Sequence, residues 1–182
     1  MTQSRQQLVA GAADMLRRRG LNATSIREVA KHAQAPLGST YHYFPGGKQQ
    51  LATEAVRWAS DTVAEILRAK LKAGPVDGLR GFLALWREII TGNDFEAGCT
   101  VVAVSIEADS TALAAAADAF STWEEILADS LRSHGAENAE QLATLIVASV
   151  EGAVVLCRAQ RSAVPLERVG AQLEDLVRAA TR

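Results

Sequence analysis

Apolar residues recur three and four positions apart along almost the whole chain, a period that predicts helices. Over residues 2–19 the stripe is Leu8, Ala12, Met15 and Leu16. Arg17, Arg18 and Arg19 fall in the last turn, where cations suit the helix dipole, and Gly20 takes the usual stop position. Ser25 and Glu28 have capping-box spacing, and Ile26, Val29 and Ala30 give the helix they open one apolar side. Pro36 suits the first turn of a short helix reaching Tyr43, with Leu37, Thr40 and Phe44 to lean on. Gly46-Gly47 then frees the chain to turn. A long helix is predicted from Lys48 to Ala73, striped by Leu51, Ala55, Trp58, Thr62, Ile66 and Leu67 and stopped by Gly74-Pro75.

The same period continues over Val76–Thr91, with Leu79, Phe82, Leu83, Trp86, Ile89 and Ile90 inward. Gly98–Ala108 reads as a strand or a short buried helix; no second strand exists to pair with it, so a helix is expected. Ala112–His134 carries Leu113, Phe120, Trp123, Leu127 and Leu131 on one face. Glu137–Gln160 is nearly apolar over Leu142–Cys157 and is predicted to be buried all round. That run is too short for a membrane span and contains Glu151, so no membrane partner is expected. Its small residues Ala148, Ser149, Gly152 and Ala153 would let another helix approach closely. Leu166–Thr181 closes the chain, striped by Leu166, Val169, Leu173, Leu176 and Ala180. The expected fold is all-α with about nine helices, and 182 residues suffice for one domain or two small ones with a real core.

Charge divides the chain. Residues 1–58 hold eight Lys/Arg against three Asp/Glu, a balance of +5, while the remainder stands at −7. A basic end suggests a polyanionic partner, although small domains also scatter by a few charges. The opening residues MTQSRQQ lack an apolar run, so no signal peptide is expected. Cys99 and Cys157 fit no metal spacing, and free thiols imply a reducing, cytoplasmic setting. No cofactor and no metal is expected. Without a Gly-rich phosphate loop or a nucleophile motif, and with His32, His42 and His134 apart, an enzyme is the weakest reading.

Two short helices with a tight break, the second polar and rich in hydroxyl and aromatic groups, present themselves as a helix-turn-helix. Thr24 or Ser25, at a helix start, could offer hydroxyl and N–H groups to a phosphate. Arg27 could reach a guanine edge or a phosphate. Ser39, Thr40, Tyr41 and His42 have the sizes to enter a major groove, and Tyr43 and Lys48 suit phosphate clamps. Core packing is the competing reading for Tyr43, and the preferred one for Phe44. Arg17–Arg19 are either solvated helix-end charges or further phosphate contacts.

The run T-S-I-R-E-V-A, then A-P-L-G-S-T-Y-H-Y-F and a lysine, resembles the DNA-binding signature of the TetR family of transcriptional regulators over about residues 5–55. F-P-G-G-K with the later G-C-T-V-V-A-V is similar to the branch that includes the LmrA and YxaF repressors. Three residues, Pro45 to Gly47, separate the aromatic from Lys48, where the family commonly has two. The resemblance implies a three-helix head over 1–47 and a helical regulatory domain over 48–182. It implies DNA contact by Thr24, Tyr41, Tyr43 and Lys48, and release from a near-palindromic operator by a small molecule. One head covers few base pairs, so a homodimer through the last two helices is expected.

Candidate ligand residues are Trp58, Phe82, Trp86, Phe95, Cys99, Val102, Phe120, Trp123 and Glu151, since aromatic walls with few polar groups suit an apolar pocket. Each aromatic at helical spacing is more often core filler than ligand wall. Glu107 and Glu151, carboxylates within apolar stretches, could bond a neighbouring helix, lie in a dimer interface or meet a ligand. A helical dimerisation scaffold remains the alternative, but it leaves the hydroxyl-rich recognition helix unexplained.

Overall fold

Each helix end in the N-terminal third has a visible local cause. In the computed structural model, which describes residues 3–107 and 110–181, α1 spans Gln3–Arg19 and stops at Gly20, whose φ of +81° suits a residue without a Cβ. Thr2, Ala108 and Arg182, at the edges of expected elements, lie outside the described residues. α2, Ile26–His32, begins with the complete capping box: Ser25 Oγ accepts the Glu28 N–H while Glu28 accepts from Ser25 N–H. α3 is Leu37–Tyr43, and Pro36 is its N-cap in extended backbone rather than a first-turn residue. Both helices have seven residues, too few to persist alone, so tertiary packing holds them.

Among the described residues the other helices are α4 (Gly47–Leu71), α5 (Pro75–Thr91), α6 (Thr100–Ser105), α7 (Ser110–Ser133), α8 (Ala139–Gln160) and α9 (Val164–Ala180). The chain is all-α with nine helices among these residues, as the periodicity implies. By its contacts it forms two compact units. The first holds residues 1–61 and 99–119, and the second holds 62–98 and 120–182. This packing division falls elsewhere than the boundary at 47/48 expected from sequence.

The first unit is built on α1, which packs against α2, α3 and α6. Leu8, Val9, Ala12, Met15 and Leu16 are buried, and Phe44 is buried with them. Each such large side chain contributes roughly 1.5–3 kcal/mol. The short apolar segment is the helix α6, with Cys99 as N-cap and Val101 and Val104 buried. Thr100 Oγ1 donates to the Ala13 carbonyl of α1 at 3.1 Å.

The second unit is organised by α8, which packs on α9 and α5. Leu79, Phe82, Trp86 and Ile90 of α5 are buried, as are Trp123, Leu127 and Leu131 of α7. Two expectations fail for α8. Its 22 residues are long and apolar enough to cross a membrane, but half of its most apolar stretch is buried inside the protein. Nor is it buried all round, since Leu145, Val155 and Leu156 are exposed. Of its small residues, Ala153 faces the core and Gly152 faces open space.

Four stripe residues also lie outside the core: Trp58, Thr62, Leu113 and Leu176 are exposed. In α4 the buried line runs through Leu51, Ala52, Ala55 and Val56, then shifts to Ser60, Val63, Ala64 and Leu67. One straight stripe cannot describe a helix whose halves belong to different units. In α7, Ala112, Ala115 and Ala116 take the buried positions beside Leu113.

Candidate nucleic-acid interface

A recognition helix needs one side anchored and one side free, and α3 divides in that way. Thr40 and Phe44 are fully buried, and Arg5 stacks over the Phe44 ring at 5.3 Å. Tyr41 is 56% exposed and His42 is also exposed, their neighbours Ser39 and Tyr43 half-buried. His42 and Tyr43 meet edge to face, with centroids 5.6 Å apart. Thr40 is the correction here: its hydroxyl donates to the Pro36 carbonyl at 3.3 Å, so its side chain belongs to the core and not to a groove surface.

The α3–α4 turn absorbs the third residue of Pro45-Gly46-Gly47. Gly47 adopts φ +70° and donates its N–H to Phe44 O at 2.9 Å, while Gly46 donates to Gln50 Oε1 at 2.9 Å. Gln50 Nε2 reaches Glu54 Oε1 at 3.1 Å, and Glu54 pairs with Arg5. This bracing links α1, the turn and α4. Only Lys48 of the turn region stood out in sequence; Arg5, Gln50 and Glu54 have no local signal.

At the start of α2, Thr24 is buried, with its hydroxyl donated to Gly20 O at 2.7 Å and its N–H to Leu21 O at 3.1 Å. Its donors are therefore spent inside the head, which corrects the expected phosphate contact. Ser25 is exposed, but its hydroxyl and N–H both serve Glu28, and those bonds hold the Glu28 carboxyl below its usual range. Arg27 is exposed. Lys48, half-buried in the first turn of α4, donates Nζ to Asn22 O at 3.4 Å. Asn22 N–H donates in turn to Glu107 Oε2 at 2.7 Å, so Glu107 bonds the loop between α1 and α2 rather than a neighbouring helix.

The arginine run is tied down in part. Burial disfavours the Asp14 charge, but hydrogen bonds and charge from Arg17 and Arg18 outweigh it and keep its carboxyl below the ordinary value. Asp14 also lies 3.0 Å from His32 Nε2, joining α1 to α2. Arg19 stays mostly exposed, 3.6 Å from Glu28.

The ligand candidates divide between the units. Trp58, Cys99 and Val102 fall in the first; Phe82, Trp86, Phe95, Phe120, Trp123 and Glu151 fall in the second. Trp58 is 40% exposed, because it sits off both buried lines of α4. Phe82 and Trp86 pack edge to face at 6.2 Å, as do Phe120 and Trp123 at 5.7 Å. Trp86 is buried, and its Nε1 has no hydrogen-bond partner among the described residues. Glu151 is only 7% exposed. Phe95 is half-buried with φ +60°, a sparsely populated conformation for a bulky residue.

Two families match this chain. Residues 8–55 match the bacterial regulatory proteins of the tetR family, and residues 75–172 match the C-terminal domain of LmrA/YxaF-like transcriptional regulators. An HTH-type transcriptional regulator of Mycobacterium tuberculosis is 37% identical over 183 residues, covering 95% of this chain and 93% of its own. The HTH-type regulator YxaF of Bacillus subtilis is 29% identical over 185 residues, covering 96% of this chain and 95% of its own. The crystal structure of regulatory protein TetR from Rhodobacter sphaeroides has the same fold, at TM-score 0.87 and 21% identity, covering 96% of this chain and 98% of that one. Capped α2, half-anchored α3 and both family matches lead to one conclusion: this chain belongs to the TetR family of transcriptional regulators, in its LmrA/YxaF-like branch.

Proposed function

We propose that this regulator is a cytoplasmic repressor that acts as a homodimer on a near-palindromic operator and is released by a small molecule. The carrying observation is α3, anchored through Thr40 and Phe44 with Tyr41 and His42 turned out. Tyr41, His42 and Ser39 read base edges; Arg27, Tyr43 and Lys48 hold phosphates, with Ser25 at the edge of that surface. DNA reading falls to residues 1–47, and ligand and partner binding to 48–182. Exposed Leu145, Gly152, Val155 and Leu156 share one face of α8 and, with Leu176 of α9, support pairing of two copies into a four-helix bundle. Two heads would then read half-sites about 34–36 Å apart or more.

The effector is an apolar or flat molecule among Phe82, Trp86, Phe120 and Trp123. An acceptor on it would satisfy the Trp86 indole N–H, and Glu151 suits a positive charge or a hydroxyl. Phe95, Cys99 and Val102 are secondary candidates. A ligand favouring one tilt of α4 would change the spacing of the two heads. The test is titration of the purified protein with the DNA upstream of its own gene and with scrambled duplexes, at several salt concentrations. Preference for the upstream DNA by about 10³-fold or more is expected; equal binding to all duplexes would defeat the specific-regulator reading.

A further inference from the structure

Glu107 lies within the stretch that matches the C-terminal family, yet its partner lies in the stretch that matches the N-terminal one. Its carboxylate accepts the Asn22 N–H at 2.7 Å, 85 residues away in sequence. Gly20 makes room for it: a Cβ there would stand 2.5 Å from Glu107 Oε1. The carbonyl of the same Asn22 accepts Lys48 Nζ. Just ahead of Glu107, α6 is fastened to α1 by the Thr100–Ala13 hydrogen bond and by buried Val101 and Val104. The carboxylate therefore comes from the turn that directly follows a fastened helix, and it bonds the one loop residue whose carbonyl meets Lys48.

We propose that Glu107 is a positioning residue for DNA binding, holding Asn22 so that its carbonyl aims Lys48 at a phosphate. An N–H bond to a carboxylate is charge-assisted and stronger than a neutral one. The lysine ammonium has three donors; one on Asn22 leaves two for phosphate oxygens. A lysine already held loses less side-chain freedom on binding than a free one. The proposal rests on Lys48 as a phosphate clamp, so the test treats the two separately.

Charge gives the test its sign. A carboxylate near DNA is repelled, so loss of charge alone would tighten binding of Glu107→Ala and Glu107→Gln alike. Positioning makes Glu107→Ala weaker despite its better charge, while Glu107→Gln keeps an acceptor. The probe is a mixed-sequence duplex of about 30 base pairs, because phosphate contact needs no operator. Expected for Glu107→Ala are several-fold weaker binding and a salt slope lower by about 1, as for Lys48→Ala. The double variant should bind no more weakly than Lys48→Ala alone. Independently of any variant, the Asn22 amide should exchange slowly in the wild-type protein and quickly in Glu107→Ala. Tighter or unchanged binding of Glu107→Ala beside a normal Lys48→Ala defect overturns the proposal, as does fast Asn22 exchange in the wild type. A Lys48→Ala slope equal to wild type overturns the clamp and the proposal with it.

Discussion

Tyr41 and Thr40 are adjacent hydroxyl residues on one short helix, and the fold exposes the first and buries the second. Tyr41→Ala or His42→Ala should cost on the order of 1–3 kcal/mol at the operator, measured by titration, with the melting temperature unchanged. Thr40→Ala should lower the melting temperature instead, because its methyl and hydroxyl fill the anchored side. The sequence suggested both for the groove, since hydroxyl content marks a recognition helix without saying which way each hydroxyl turns. Thr24 misleads for the same reason. Asp14 gives a pH-dependent prediction. Its carboxyl is depressed in the fold, so its contribution is full above the unfolded value and fades as pH falls through the lower folded one. Acid melts should show stability falling below about pH 4, and Asp14→Asn should flatten that part of the profile.

At the scale of elements, α8 shows what periodicity can and cannot tell. Its apolar run is plain in sequence, but one apolar face packs on α5 and α9 while another meets solvent in the single chain. Composition cannot separate those faces, because a core and a partner want the same side chains. Gly152, with open space before it, marks the second face. Gly152→Leu should therefore leave the monomer's fold intact, push two copies apart and give monomers in light scattering. A dimer of unchanged mass would place the interface elsewhere. For α4 the misread positions, Trp58 and Thr62, follow from assuming one stripe where the buried line shifts. Capping signals fared better: Ser25 with Glu28 and Gly20 are local chemistry, so neighbours in sequence suffice to specify them.

For the whole molecule, the proposed release by a small molecule requires effector and operator to oppose each other. A reciprocal coupling of roughly 1–3 kcal/mol is expected, so saturating effector should weaken operator binding about 5- to 150-fold. Tryptophan quenching identifies binders, and DNA titration with each binder at saturation checks the coupling; tight binders that all leave operator affinity unchanged would defeat the mechanism. The all-helical class and the helix-turn-helix were legible because both are written in spacings within about 20 residues. The bond between Asn22 and Glu107 was not, since nothing local marks a loop amide as a partner for a distant carboxylate. The interleaving of the two units also bears on how this protein is made and rebuilt. The face of α1 that receives Thr100, Val101 and Val104 is completed by residues far along the chain. During synthesis the first unit must wait for more than half of the polypeptide to leave the ribosome before that face is covered. A chimera that transplants residues 1–61 alone onto another regulator would carry this apolar seam uncovered; one that carries 99–119 as well would bring its own seal.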